Sequence, residues 1–262
     1  LGLTPLQLAD FEQGKFEYDL ILLDTEGLGP IFNQQSCSSC HTTPLGGGGS
    51  QTVTRFGRSD KGVWDPLDGT GTMPDLGGEL LQAEALDPSC AEIIPPEANR
   101  TAARVTLGSM GYGLIEGILD ADIMANATTP PSAAVSGRAR MVDVIETGGP
   151  QRPGRFGWTA PFAADAAVNE MGLTNRFFSE DPDPNGVNAP TIGSCDLLPL
   201  DPESPQDKTT GLYFSDRVTF FQRYMTQPPQ TPRSGMTGET VFNTIGCADC
   251  HIRDWTTPDD VL

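Results

Sequence analysis

Two pentapeptides carry residue types that can do chemistry, Cys37-Ser38-Ser39-Cys40-His41 and Cys247-Ala248-Asp249-Cys250-His251, and they contain the only two histidines of the chain. Thiols three positions apart can add across the two vinyl groups of one haem, and a histidine directly after the second thiol can reach the iron. The spacing predicts two covalently attached haem c groups, with Cys37, Cys40, Cys247 and Cys250 as thioether links and His41 and His251 as proximal ligands. A structural zinc knuckle would need four ligands drawn from two sites that both have the haem spacing. A redox dithiol needs no histidine at a fixed offset.

The flanks repeat as well. Phe32-Asn33 and Phe242-Asn243 stand at the same offsets before Cys37 and Cys247, and a glycine-containing lead-in precedes each. This suggests one ancestral unit used twice, each copy laying its phenylalanine on the porphyrin and ending a short helix at the attachment site. Since both histidines are used proximally, a six-coordinate iron needs a distal ligand of another type, such as methionine, tyrosine or an amine. Met110, set between small residues, is the candidate; the alternative is a core methionine. Arg55 and Arg58, with Arg155, are candidates for bidentate pairing with haem propionates, against a reading of the first two as surface salt bridges. Glu116, an acid in an apolar run, would serve peroxide cleavage as acid-base group on an open haem side, or else faces solvent. Trp158 lies on an electron path if it stands between haems, and is otherwise a core tryptophan.

Two further features lie outside the haem motifs. Asp181, Asp183 and Asn185 have the oxygen-ligand alternation and following glycine of a calcium loop, although prolines separate them and Ile192 occupies the twelfth position. Cys90 and Cys195 are the two cysteines that haem attachment does not use. They form a disulfide in an oxidising compartment, or are two unrelated buried thiols.

The elements that must position these groups are read as mainly helical. Thr4-Pro5-Leu6-Gln7 is a capping box that opens a helix whose apolar side is Leu6, Leu8, Phe11 and Phe16. Gly46 to Gly49 cannot continue a helix and either approach a porphyrin edge or form a plain loop. Residues 60–100 read as loop with one helical turn near Gly78 to Ala85. A helix should start near Tyr112, a short strand run from Met141 to Ile145, and another helix extend from Pro161 to Met171. Leu212 to Met225 is amphipathic, with Phe214, Val218, Phe221 and Met225 at helical spacing, and stops before Pro228-Pro229.

The formal charge of −19 and only 16 basic residues make nucleic acid and anionic membrane surfaces improbable partners. A basic redox protein or a neighbouring subunit of a homo-oligomer fits better. No apolar run is long enough to span a bilayer. The first residues, Leu1-Gly2-Leu3-Thr4-Pro5, read as the mature end of an exported protein, periplasmic or extracellular, which also suits haem c and a disulfide.

Taken together, Glu26-Gly27-Leu28-Gly29-Pro30-Ile31-Phe32-Asn33 leading into Cys37 to His41, Gly108-Ser109-Met110-Gly111-Tyr112-Gly113-Leu114-Ile115-Glu116, Gly154-Arg155-Phe156-Gly157-Trp158, Glu170-Met171-Gly172-Leu173-Thr174-Asn175 and Val241 to His251 resemble the bacterial di-haem oxidoreductase family. Its members are labelled thiol oxidoreductases or peroxidases and are related to di-haem cytochrome c peroxidases. The resemblance implies a mainly α fold of two cytochrome-c-like haem domains joined by long Gly/Pro-rich loops, with little β. The expected division is a first haem domain over 1–130, a connecting region over 131–235, and the start of a second haem domain over 236–262, truncated relative to longer members. The expected function is electron transfer by a peroxidase-type oxidoreductase acting on hydrogen peroxide. The alternatives are a pure electron carrier, including an oligomeric or filamentous one, and a module whose haems are vestigial.

Overall fold

Thr4 opens the first helix because its hydroxyl can take the Gln7 N–H while the Gln7 amide oxygen takes the Thr4 N–H. Both bonds form, at 3.3 and 2.9 Å, and Pro5 begins α1, Pro5–Asp19. The structure, a computed structural model, describes residues 2–23, 28, 31–42, 44–49, 51–67, 69, 71–74, 76, 78–129, 133, 135–144, 149–158, 160, 162–163, 209–227 and 237–258. The chain divides into two compact units, Leu1–Ser109 with Ala167–Phe221 and Met110–Ala166 with Gln222–Leu262.

In the first unit, α1 does not bury the expected apolar side. Leu6, Leu8 and Phe16 are exposed, and the buried residues are Gly14, Glu17 and Tyr18. The reason is the neighbour, the helix Phe214–Tyr224. A Cβ at Gly14 would run into the Arg217 carbonyl, so only glycine lets these two helices approach this closely. Glu17 accepts from Arg217 Nε at 2.6 Å, and Phe11 stacks on Phe221 with centroids 5.0 Å apart. The helical spacing of Val218, Phe221 and Met225 is realised, all three being buried.

The expectation of a mainly helical chain with two cytochrome-c-like domains is corrected. Among the described residues helix accounts for 32% and strand for 19%, and the strands form three small sheets. The first unit holds β1, Ile31–Phe32, the single helical turn α2, Cys37–Cys40, then β2, Thr52–Asp60, β3, Val63–Asp65, β4, Glu84–Ala85, and β5, Arg100–Val105. β2 lies between β3 and β5, antiparallel to both, with Thr52 opposite Val105 and Gly57 opposite Arg100. β1 pairs with β4, Ile31 opposite Ala85. Thr52, Val53, Thr54 and Phe56 are β-branched or aromatic and suit a pleated, half-buried surface. Residues 60–100 are therefore not plain loop, and Glu84-Ala85 is strand instead of helical turn.

The second unit contains α3, Tyr112–Glu116, α4, Asp120–Thr128, and an antiparallel pair of β6, Met141–Val144, and β7, Gly149–Pro153. The predicted start at Tyr112 and the strand from Met141 are both present. Val142, Val144 and Ala163 form one small core and Phe156 with Phe162 another, against which Tyr112 and Ile115 pack. Phe214–Tyr224 is α5, and the unit boundary falls within it. α6, Thr237–Thr244, precedes the second cysteine motif. Apart from residues 162–163, the helix expected from Pro161 to Met171 lies outside the described residues.

Candidate haem attachment sites

Ser36 caps α2. Its hydroxyl accepts the Ser39 N–H at 3.1 Å and lies 2.7 Å from the Ser39 hydroxyl, which satisfies the start of a helix only one turn long. That turn sets Cys37 and Cys40 three positions apart and His41 four, on one face. The His41 N–H closes it by donating to the Cys37 carbonyl at 3.0 Å. Both cysteines are half-buried, whereas His41 is only 6% exposed. The Tyr18 ring stands against the imidazole, centroids 6.2 Å apart and tilted by 55°.

The glycine run after the motif has a use that its sequence left open. A Cβ at Gly49 would run into the Cys40 carbonyl, so the run folds back tightly on the cysteine turn. Gly46 N–H donates to the His41 carbonyl at 2.9 Å, and the Gly46 carbonyl in turn takes the Ser109 N–H at 2.7 Å. Upstream, buried Asn33 donates to Gln82 Oε1 at 2.9 Å and accepts the Ala83 N–H at 3.2 Å, holding the chain entering α2 to the segment before β4. Phe32 packs on the Leu22–Leu28 cluster.

The second motif repeats the turn in a different setting. Cys247–Asp249 is a 3₁₀ turn entered through Gly246, and the His251 N–H donates to the Cys247 carbonyl at 3.0 Å, as at the first motif. Here Cys247 is half-buried while Cys250 and His251 are exposed. The Phe242 ring lies 5.8 Å from the His251 ring. Val241, Phe242, Ile245 and Trp255 are all exposed around this turn. The structural likeness is thus confined to the motif. Asn33 is a buried clamp at a strand end, while Asn243, at the same offset, is an exposed residue of α6.

The donor set fits covalent haem. Two thiols and one imidazole on one turn are its requirements, and the exposed apolar residues beside the second turn are what a porphyrin face would cover. Among the described residues no group of three or more His, Cys, Asp or Glu is arranged to hold a bare metal ion.

The other candidates are placed as follows. Arg55, on β2, pairs with Glu79, and Arg58 donates to the Glu97 carbonyl at 3.3 Å. Arg155 is buried and donates to the Glu116 and Ile118 carbonyls at 2.7 and 2.8 Å and to the Asp120 carboxylate. Burial pulls its guanidinium below the usual value, and Asp120 opposes that shift. Arg152 grips Asp120 through two bonds, at 2.8 and 2.9 Å, which is the main reason that this carboxyl is held below its usual range. Both Glu116 carboxylate oxygens face Arg223, at 2.9 and 3.3 Å. Met110 is partly buried just before Gly111, and Trp158 is exposed. Asp181, Asp183, Asn185 and Cys195 lie outside the described residues, as does the Cys90 side chain, so the calcium loop and the disulfide have no structural account.

One carboxylate passed unnoticed in the sequence. Asp65, at the end of β3, is buried and accepts from the Leu67 N–H at 3.0 Å, the Thr72 N–H at 2.6 Å, the Thr72 hydroxyl at 2.9 Å and the Met73 N–H at 2.9 Å. The Leu67 amide first, then the others, lower its pKa to about 2. It is a clamp on the loop after β3. Against family models, curated proteins and solved structures alike, no match to this chain is found.

Proposed function

We propose that the chain is an exported di-haem c-type electron-transfer protein, of the oxidoreductase kind that its motifs resemble. The observation that supports this most is the shared local geometry of the two pentapeptides, each closed by a histidine N–H donating to the first cysteine carbonyl at 3.0 Å. Haem bound at each motif supplies one-electron iron chemistry. The chain supplies Cys37 and Cys40, or Cys247 and Cys250, as covalent anchors, and His41 or His251 as the imidazole on the same face. At the first motif, burial of His41 keeps water from the imidazole. At the second, Val241, Phe242, Ile245 and Trp255 offer apolar contact to whatever the cysteines hold.

Of peroxide reduction and simple electron carriage, Glu116 favours the second. A carboxylate with both oxygens facing Arg223 has no free oxygen for moving a proton to or from peroxide unless that pair opens. We therefore read the chain first as an electron carrier, with a basic redox protein or a second copy as partner.

Absorption and EPR spectra of the purified oxidised protein, before and after peroxide, test this reading. Two low-spin haems that are inert to peroxide are expected. A high-spin haem that reacts within seconds selects the peroxidase instead, and Glu116→Gln should then slow turnover about 10²–10⁴-fold. A chain without covalent haem overturns both.

A further inference from the structure

Among the described residues of the first unit Tyr18 is the largest fully buried side chain, and no feature of the cysteine motifs calls for it. Its ring neighbours two others, Phe221 at 5.1 Å and His41 at 6.2 Å. Its hydroxyl lies 3.0 Å from Ser109 Oγ. The Ser109 hydroxyl also lies 3.2 Å from the Gly46 carbonyl, and when it donates its one hydrogen there Tyr18 is the donor in the first bond. Gly46 in turn donates its N–H to the His41 carbonyl at 2.9 Å. The contacts close a circuit. It runs from the His41 imidazole to the Tyr18 ring, through the Tyr18 hydroxyl to Ser109, then to Gly46, and back to the His41 backbone.

Such a circuit restrains both the ring and the main chain of one residue. The support beneath it is stiff. Gly14 brings α1 against α5, the Glu17–Arg217 pair ties the two helices together, and Phe221 backs the Tyr18 ring. At the second motif the His251 ring lies instead against Phe242, which carries no hydroxyl, on an exposed surface.

We infer that Tyr18, acting through Ser109 and Gly46, is a positioning residue for His41, fixing the angle at which its imidazole meets the iron and so tuning the first haem separately from the second. This rests on the haem reading above. Groups that orient a metal-bound imidazole set ligand basicity and redox potential although they never touch the metal, and their loss typically changes affinity or activity about 10–100-fold.

The test uses the purified holoprotein, its haem-to-chain ratio measured first. Tyr18→Phe keeps the ring and removes the hydroxyl, while Ser109→Ala removes the next link and leaves Tyr18 intact. Each variant is followed by redox titration and by the EPR of the oxidised form. The expected result is two haems per chain in every variant, with one reduction equilibrium shifted about tenfold, which is ~59 mV for one electron. The other haem should not move, and both variants should shift the same haem. If two haems are bound and neither variant alters a potential or an EPR signal, Tyr18 only packs, and the inference fails while the haem reading stands. If the unsubstituted chain binds no covalent haem, both fail together.

Discussion

A carboxylate that accepts four hydrogen bonds is stabilised in its charged form, and Asp65 is held this way by Leu67, Thr72 and Met73. Its folded pKa, about 2, lies below the ordinary 3.8, so its contribution is fully present above pH 3.8 and is lost as the pH falls toward 2. Thermal unfolding followed by circular dichroism should show Asp65→Asn melting below the unsubstituted protein at neutral pH, with a flatter fall across that acid window. Parallel curves for the two proteins would contradict the assignment. Arg155 is the second test at this scale, since its buried guanidinium serves two carbonyls and Asp120. Arg155→Met should cost about 1–3 kcal/mol in urea unfolding, the range for leaving buried acceptors unpaired, since Asp120 is 35% exposed and keeps Arg152. A loss under about 1 kcal/mol, typical of exposed pairs, would place this arginine in water. The two cysteine turns were legible because their spacing places all three side chains within one turn. Asp65 was not, because its partners come from a Gly- and Thr-rich stretch whose folding back has no periodic signature. Arg55, Arg58 and Arg155 were read as partners for propionates, whereas their actual partners Glu79, Glu97 and Asp120 depend on tertiary folding.

The contact between α1 and α5 is the element on which the first motif leans. Gly14→Ala would push a methyl group into the Arg217 carbonyl, and it should destabilise the protein by about 1–3 kcal/mol in urea unfolding, although alanine is the better helix former. A stabilised variant would mean that the helices do not meet at Gly14. Local signals explain what was readable here: the Thr4–Gln7 box, the start at Tyr112 and the spacing of Val218, Phe221 and Met225 all act within a turn or two. The buried side of α1 was misread because Leu6, Leu8 and Phe16 look apolar in isolation, whereas the partner helix selects Gly14, Glu17 and Tyr18. The sheets of the first unit were missed for a related reason. β2 and β5 are joined by pairing between residues such as Thr52 and Val105, far apart in sequence, and the Arg-Phe-Gly-Arg stretch drew attention to its charges instead of its strand.

At the scale of the whole molecule, each compact unit carries one cysteine motif, and no helix among the described residues is long and apolar enough to cross a membrane. The charge of −19 would give the proposed cationic redox partner a long-range attraction that salt screens. Electron transfer with a basic small protein should therefore slow as ionic strength rises from about 0.01 to 0.15 M, over which the Debye length shrinks from roughly 30 to 8 Å. A rate independent of salt would favour a neighbouring copy of the chain as partner. The repeated motifs were legible at this scale, but the residues that bury His41 and expose His251 were not, because the structural likeness stops at the pentapeptides. The central claim is tested most directly by the number of haems covalently bound per chain, read from intact mass after acid extraction. The account predicts two, falling to one when either Cys37 with Cys40 or Cys247 with Cys250 is replaced by alanine. A chain from which acid removes all haem, or which carries zinc on those thiols, would contradict it.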